Sequence, residues 1–241
     1  MTLPSSGPIS IGDINVELNY PVDRTTSLDE EYVRRLLGIY PTGTPSLQLA
    51  YGKQIGGSAT YTTPGTYTFN VPLYNTITVT VNGAGGGGGG ASGRSQAANE
   101  QQTVTYPAGS NGTSGTASRF DTTTPLVGNG GAGGSGASGA SGTAAAGDPG
   151  TATGGSTNTT GGGSNGGAGG NGTYRNGGPG GDGGRAVRTF TRDVAGSPIV
   201  GGTVTVVVGT RGSGGAGGVG NTYTGPSGAN GTHGTVTITW S

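Results

Sequence analysis

Of the chain's 241 residues, 59 are glycine and only 29% are hydrophobic, against about 45–50% apolar residues in an ordinary domain, which argues against an oily core of domain size. Eleven acidic and eleven basic residues leave no net charge, so bulk electrostatic binding to nucleic acid or an anionic membrane is not expected. With no cysteine there is no disulfide framework, no thiol chemistry and no cysteine-held metal. The opening MTLPSSGPIS has neither the basic start nor the apolar run of a signal peptide, and no stretch approaches the roughly 18 apolar residues of a membrane span.

Residues 1–54 carry six of the eleven acids and all of the helix-like patterning. TSLDEEYVRRLLG, residues 26–38, predicts one helix. Ser27 and Glu30 have capping-box spacing, Leu28, Tyr32, Val33, Leu36 and Leu37 recur at helical intervals, and Gly38 is a natural stop. Acids at 29–31 and arginines at 34 and 35 suit the helix dipole and give Glu30/Arg34 and Glu31/Arg35 pairs. The flanking PISIGDINVELNY and PSLQLAYGK read as short strands or extended arms. Some 54 residues are few for an independent core, so this region is expected to be an attachment module that completes itself against another chain. A small cap on the rest of the protein is the alternative.

Residues 55–241 are expected to form a second, glycine-rich domain in which strands alternate with glycine inserts. Segments 66–71, 75–82, 185–191, 203–209 and 234–240 are β-branched or aromatic and mostly alternating, enough for a sheet or small sandwich. Between them glycine keeps a three-residue frame: at 109, 112 and 115, from 130 to 142, from 163 to 172, from 212 to 218 and from 225 to 234. Several inserts double the glycine, as in GGAGGN, GGPGGD and GGAGGV, leaving one side chain in three. A period of three at about 3.1 Å rise is polyproline II geometry, which makes no internal hydrogen bonds, and a twelve-residue insert of that kind is roughly 37 Å long. Its N–H and C=O groups must pair with neighbouring backbones, which glycine faces allow to approach. Ala132, Ser135, Asn171, Pro179 and Asp182 would then point outward. The fold class expected is mostly β and irregular, a small sheet or sandwich bracketing packed polyglycine II helices, with one α-helix in the N-terminal module. Flexible linkers are the plain competitor. Collagen fails because the prolines fall mostly outside the frames, and a calcium-binding repeat fails because GGPGGDGGR occurs once.

Catalytic chemistry is thin. His233, the one histidine, has no carboxylate beside it and reads as a turn residue. Glu100, Asp121, Asp148, Asp182 and Asp193 are isolated in sequence. GAGGGG follows a strand without opening a helix and lacks the P-loop lysine, so a phosphate or dinucleotide site is not expected. The loops around 94–107, 118–125, 173–176 and 221–226 gather what the frames exclude. Arg94, Tyr106, Phe120, Tyr174, Arg175 and Tyr223 are the candidate contact residues, rigid amphipathic groups of the kind recognition surfaces favour. Capping of the domain's ends by the same aromatics is the alternative.

GTYTFNVP, NTITVTVNGAGGGGGG, TVTVVVGTRGSGGAGG and GANGTHGTVTITW together resemble the glycine-rich domain of tailed-bacteriophage tail-fibre and adhesin proteins, over residues 61–241. The resemblance implies a polyglycine II sandwich with loops at one end that touch a host surface glycan or outer-membrane protein. SGPISIGDINVEL and YGK look like a module at the start of phage virion structural proteins, which implies attachment to other virion proteins through residues 1–54. The expectation is therefore a non-enzymatic virion protein of a phage tail or fibre. No cofactor, metal, catalytic residue, nucleic acid or membrane insertion is expected, and a homo-oligomer stays open. The alternative is a capsid or neck decoration protein that stabilises the particle without reading a receptor.

Overall fold

A computed structural model describes residues 3–97 and 103–241. It is mostly β, with two α-helices, α1 (Ile11–Glu17) and α2 (Glu31–Leu37), and a 3₁₀ turn at Leu47–Ala50. The strands are β1 (Gly57–Tyr61), β2 (Gly65–Asn70), β3 (Thr76–Asn82), β4 (Ser95–Gln96), β5 (Val104–Thr105), β6 (Ser118–Asp121), β7 (Leu126–Gly128), β8 (Ala152–Thr153), β9 (Thr157–Thr159), β10 (Arg185–Thr191), β11 (Thr203–Val208) and β12 (Thr235–Trp240). Two antiparallel five-stranded sheets, ordered β1-β12-β3-β10-β9 and β2-β11-β6-β7-β8, face one another; β4 and β5 form a separate hairpin. Alternation decides the faces. Ile77, Val79 and Val81 of β3, Val236 and Ile238 of β12, and Val204, Val206 and Val208 of β11 point inward and are buried. Phe69, Phe120 and Phe190 fill the space between, with ring centroids 6.2 and 6.3 Å apart along that chain. The scarce apolar residues are thus concentrated into one conventional core.

The N-terminal residues finish that core at one end. Leu3, Ile14, Leu18, Val33, Leu36, Leu37 and Ala50 join the sandwich in a single apolar cluster, so the region completes itself against its own chain. Polar ties cross the junction: Ile55 N–H donates to Glu17 Oε1 at 2.6 Å, Asn75 Nδ2 to the Glu17 carbonyl at 3.0 Å, and Arg192 Nη2 to the Leu18 carbonyl at 2.7 Å. The stretch read as an extended arm contains α1, whose start is a Ser10–Asp13 capping box. Two hydrogen bonds from Ser10, from its hydroxyl and its backbone N–H, hold the Asp13 carboxyl below its ordinary value. The expected helix is shorter than its sequence signals. Ser27 N–H still bonds Glu30 Oε1, but the Ser27 hydroxyl turns to Asp29 N–H and Glu30 becomes the cap residue. Gly38 ends α2 in the left-handed region at φ 77°. Arg35 pairs with Glu31 as expected, whereas Arg34 takes Asp29 and Glu30 takes Arg24.

Beyond the other end of the sandwich the chain runs back and forth in eight glycine-rich segments: I (83–94), II (107–116), III (129–138), IV (144–151), V (163–172), VI (176–184), VII (209–219) and VIII (224–234). Segment I enters from β3 and lies at the centre, with residues 83–93 all buried. From Gly83 to Arg94, successive amides donate in strict rotation to segments VI, II and VIII, or, for Ser92 and Arg94, to the residue just before VI and VIII. Gly86, Gly87 and Gly88, for example, reach Gly181, Thr113 and Ala229 at 2.9, 2.8 and 2.9 Å. Its carbonyls accept from V, III and VII with the same period of three. The six surrounding segments bond to one another in the order II, III, VI, V, VIII, VII and back to II, and segment IV lies outside in the groove between III and VI. Odd-numbered segments run one way and even-numbered ones the other, as the partner numbering shows.

Glycine is placed by neighbours. A Cβ on Gly85, Gly86, Gly87, Gly88, Gly89 or Gly90 would come within about 2.1 Å of a backbone oxygen of an adjacent segment. The frame read from 130 to 142 stops earlier than its spacing suggests: Gly139 and Gly142 have φ of 102° and 94° and turn the chain. Ala132 and Ser135 are half-buried, and their amides donate to Asp148 and Ala145 of segment IV. Asn171, Pro179 and Asp182 are exposed.

Candidate functional site

Because all eight segments begin or end at the sandwich, their reversals gather at the far tip: among the described residues, 94–97 with 103–107, 138–143, 172–176 and 219–224. The buried end of segment I knots three of them. Ser92, with no exposed surface, donates from Oγ to the Gly139 carbonyl at 3.0 Å and accepts from Arg175 N–H at 3.1 Å. Arg94 and Tyr223 exchange backbone hydrogen bonds at 2.8 and 3.1 Å, joining the first and last loops. Asn221 adds to that junction. Its Oδ1 accepts from Gln96 N–H at 2.8 Å and its Nδ2 donates to the Gln96 carbonyl at 2.9 Å.

Five of the six candidate residues meet on this knot. The Tyr174 ring stands edge-on to Tyr106 at 5.4 Å and to Tyr223 at 5.5 Å. The Arg94 guanidinium lies 5.8 Å from the Tyr174 centroid, with Nη1 3.4 Å from its hydroxyl. Tyr223 Oη accepts from Thr173 N–H at 3.2 Å, and hydrogen bonding with Thr173 holds the phenol below its ordinary pKa. Arg175 Nη1 donates to the Ser138 carbonyl at 2.7 Å. All five side chains are half-buried, so they tie the loops together and still present surface.

Phe120 is a correction. It is the sixth candidate, read as a loop residue, and it is fully buried in β6 between Phe69 and Phe190, at the sandwich end of the bundle. Its alternation with exposed Arg119 marks a strand, a signal that the turn-rich TTTP beside it masks. Sequence reading also passed over Ser92 and Asn221. Ser92 had a signal: it is the only polar side chain in an otherwise glycine and alanine run from 83 to 93.

His233 belongs to segment VIII, where Nδ1 accepts from Arg211 N–H of segment VII at 3.1 Å. Asn111, Asp182, Asn176 and Asn230 act alike, their Oδ1 atoms taking the outward amides of Gly136, Gly166, Gly172 and Gly214. The carboxylates go to separate partners: Asp121 lies 3.4 Å from Arg119, Asp182 accepts Gly166, and Asp193 accepts from Tyr32 at the N-terminal end. Asp148 is on segment IV, and Glu100 lies outside the described residues. Among the described residues no three His, Asp or Glu side chains gather as metal ligands, and no helix is long and apolar enough to cross a membrane.

The opposite end is different in character. Of the eight well-exposed large hydrophobic residues among those described, seven are there. Val16, Val22, Tyr40, Leu49 and Tyr51 belong to the first 54 residues, and Val194 and Ile199 to the loop after β10. A cleft of about 480 Å³ opens beside that loop, lined by Tyr32, Arg192, Asp193 and Ile199. Burial, and then the hydrogen bond to Asp193, push the Tyr32 phenol up to about 12. No protein-family model, curated protein or solved structure matches the chain.

Proposed function

We propose that the chain is a non-enzymatic structural protein of a bacteriophage particle, a tail-fibre or adhesin component. Residues 1–54 face other virion proteins and the far tip offers its loops to a glycan or outer-membrane protein on the host surface. The eight glycine segments act in this reading as polyglycine II helices, a stiff spacer. The observation that carries it is the strict rotation of the amides of residues 83–94 among three neighbours, which suits a three-residue turn and a core built from backbone alone. Two chemically unlike ends support the division of labour. One has seven of the eight well-exposed large hydrophobic residues among those described and a cleft of about 480 Å³, the other tyrosine, arginine, serine and asparagine. The tip also lies where the bundle holds its loops from beneath, an arrangement that lowers the entropy lost on binding.

Labelled protein incubated with a panel of bacterial cells tests the reading. Saturable adsorption that falls at least about tenfold in Tyr106→Ala/Tyr174→Ala, and survives substitution of the exposed Val16 and Val22, is expected; tenfold is the loss of about 1.4 kcal/mol of binding. Absence of adsorption together with tight occupancy on heads or necks of particles would favour a decoration protein.

A further inference from the structure

The sequence contains seven Asn-Gly pairs, at 82–83, 111–112, 129–130, 165–166, 171–172, 176–177 and 230–231. Asn-Gly is the dipeptide in which the backbone nitrogen of glycine most readily attacks the asparagine Cγ, since no side chain hinders it. The N–Cγ bond forms as the Cγ–Nδ2 bond breaks, ammonia leaves, and water then opens the succinimide to aspartate or isoaspartate. The step requires the glycine N–H to give up its proton, so an amide held in a hydrogen bond is a poor nucleophile.

In six of the seven pairs that amide is held. Gly83 donates to the Gly184 carbonyl at 2.8 Å, Gly112 to Gly134 at 2.9 Å, Gly177 to Gly170 at 3.0 Å and Gly231 to Gly212 at 2.9 Å. Gly166 and Gly172 donate to Asp182 Oδ1 at 2.7 Å and Asn176 Oδ1 at 2.9 Å. Gly130 alone donates to no protein group among the described residues. Asn129, whose Nδ2 donates to Thr151 Oγ1 at 2.9 Å, sits half-buried where segment III leaves the sandwich.

We infer that Asn129 is the site of spontaneous deamidation in the folded protein, and that the hydrogen-bond lattice protects the other six pairs. The consequence for the bundle is local. Isoaspartate adds one methylene to the main chain at the start of segment III, upstream of the amides of Gly131, Gly134 and Ala137 that reach Ala84, Gly87 and Gly90 of the central segment.

Full-length protein is aged at neutral pH in buffer and, separately, in denaturing urea, and peptide mass mapping follows each asparagine with time. Native protein should lose ammonia at Asn129 at least about tenfold faster than at any of the other six, because breaking one of their bonds costs about what a tenfold factor represents. In urea the seven should react at rates within a few-fold of one another. Asn129→Ser should remove the leading product without raising the others. The inference is overturned if the six lattice-held pairs react as fast in the folded protein as in urea, or if another asparagine leads.

Discussion

Gly88→Ala is the sharpest probe of a bundle held by main-chain hydrogen bonds. A methyl there would sit 2.1 Å from the Ala168 carbonyl oxygen and 2.5 Å from its carbon, so segment V must move away by about 1 Å or more. That displacement breaks the bonds from Gly167 to Gly86 and from Gly170 to Gly89, at 2.8 and 2.9 Å, in a region without water access. Each bond contributes about 1 kcal/mol, and each buried carbonyl left bare costs about 1–3 kcal/mol more, for a total of about 4–8 kcal/mol. Whole domains are stable by only about 5–15 kcal/mol. Urea unfolding followed by circular dichroism measures the change, with Ala168→Ser as the exposed control on the facing segment, expected within about 0.5 kcal/mol. In a flexible linker, disordered in the folded and unfolded states alike, the same substitution would change stability by less than about 0.5 kcal/mol, so a neutral or stabilising Gly88→Ala would refute the lattice argument.

Phe120→Ala should cost about 3–5 kcal/mol in the same assay through the cavity it leaves, while any adsorption to cells by the folded fraction is unchanged, since the residue is at the far end from the loops. Ser92→Ala removes the hydroxyl that holds Gly139 and Arg175; about 1–3 kcal/mol of local stability should go, seen as faster amide exchange at 173–176 with little change in the sandwich. Alkaline pH should destabilise. The Tyr74 phenol, buried and donating to the Pro198 carbonyl at 2.6 Å, is pushed up to about 12 by burial and then by the charge of Asp193. Its folded pKa exceeds the unfolded value near 10, so its contribution is complete below pH 10 and is lost as pH rises from 10 toward 12. Tyr74→Phe should flatten that part of the stability profile, and an unaltered alkaline slope would rule the residue out as its source.

The strands were legible because alternation is a strong signal: the five segments read from sequence correspond to β2, β3, β10, β11 and β12, the strands that carry most of the buried valines. The short strands β6 to β9 were not legible, since two to four residues cannot display a period and their pairing depends on distant partners. Helix α1 was hidden by β-branched Ile11, Ile14 and Val16, and it is only two turns long, so packing of Ile14 against the core outweighs its propensity. At the tip, five of six candidates were legible because glycine frames exclude tyrosine and arginine, which leaves the reversals as the places for them. Phe120 shows the limit of that rule: an aromatic outside a frame can also belong to a strand.

The number of side chains in each three-residue period differs between the segments. Segment I, surrounded by six, has no side chain at all from Gly85 to Gly90. Segments III, V, VI and VII keep one residue in three, as in GGAGGSG, GGAGGN, GGPGGDGG and GGAGGV, while segments II and VIII keep two, as in GSNGTSG and GPSGANG. The remaining side chains finish the lattice at its rim, where Asn111, Asn230 and His233 occupy outward amides. Since the inward contacts are backbone to backbone, they are indifferent to which residues occupy the reversals beyond the last glycine. Stability and surface chemistry are therefore specified by separate positions of the same chain, with Ser92 among the few residues where the two meet.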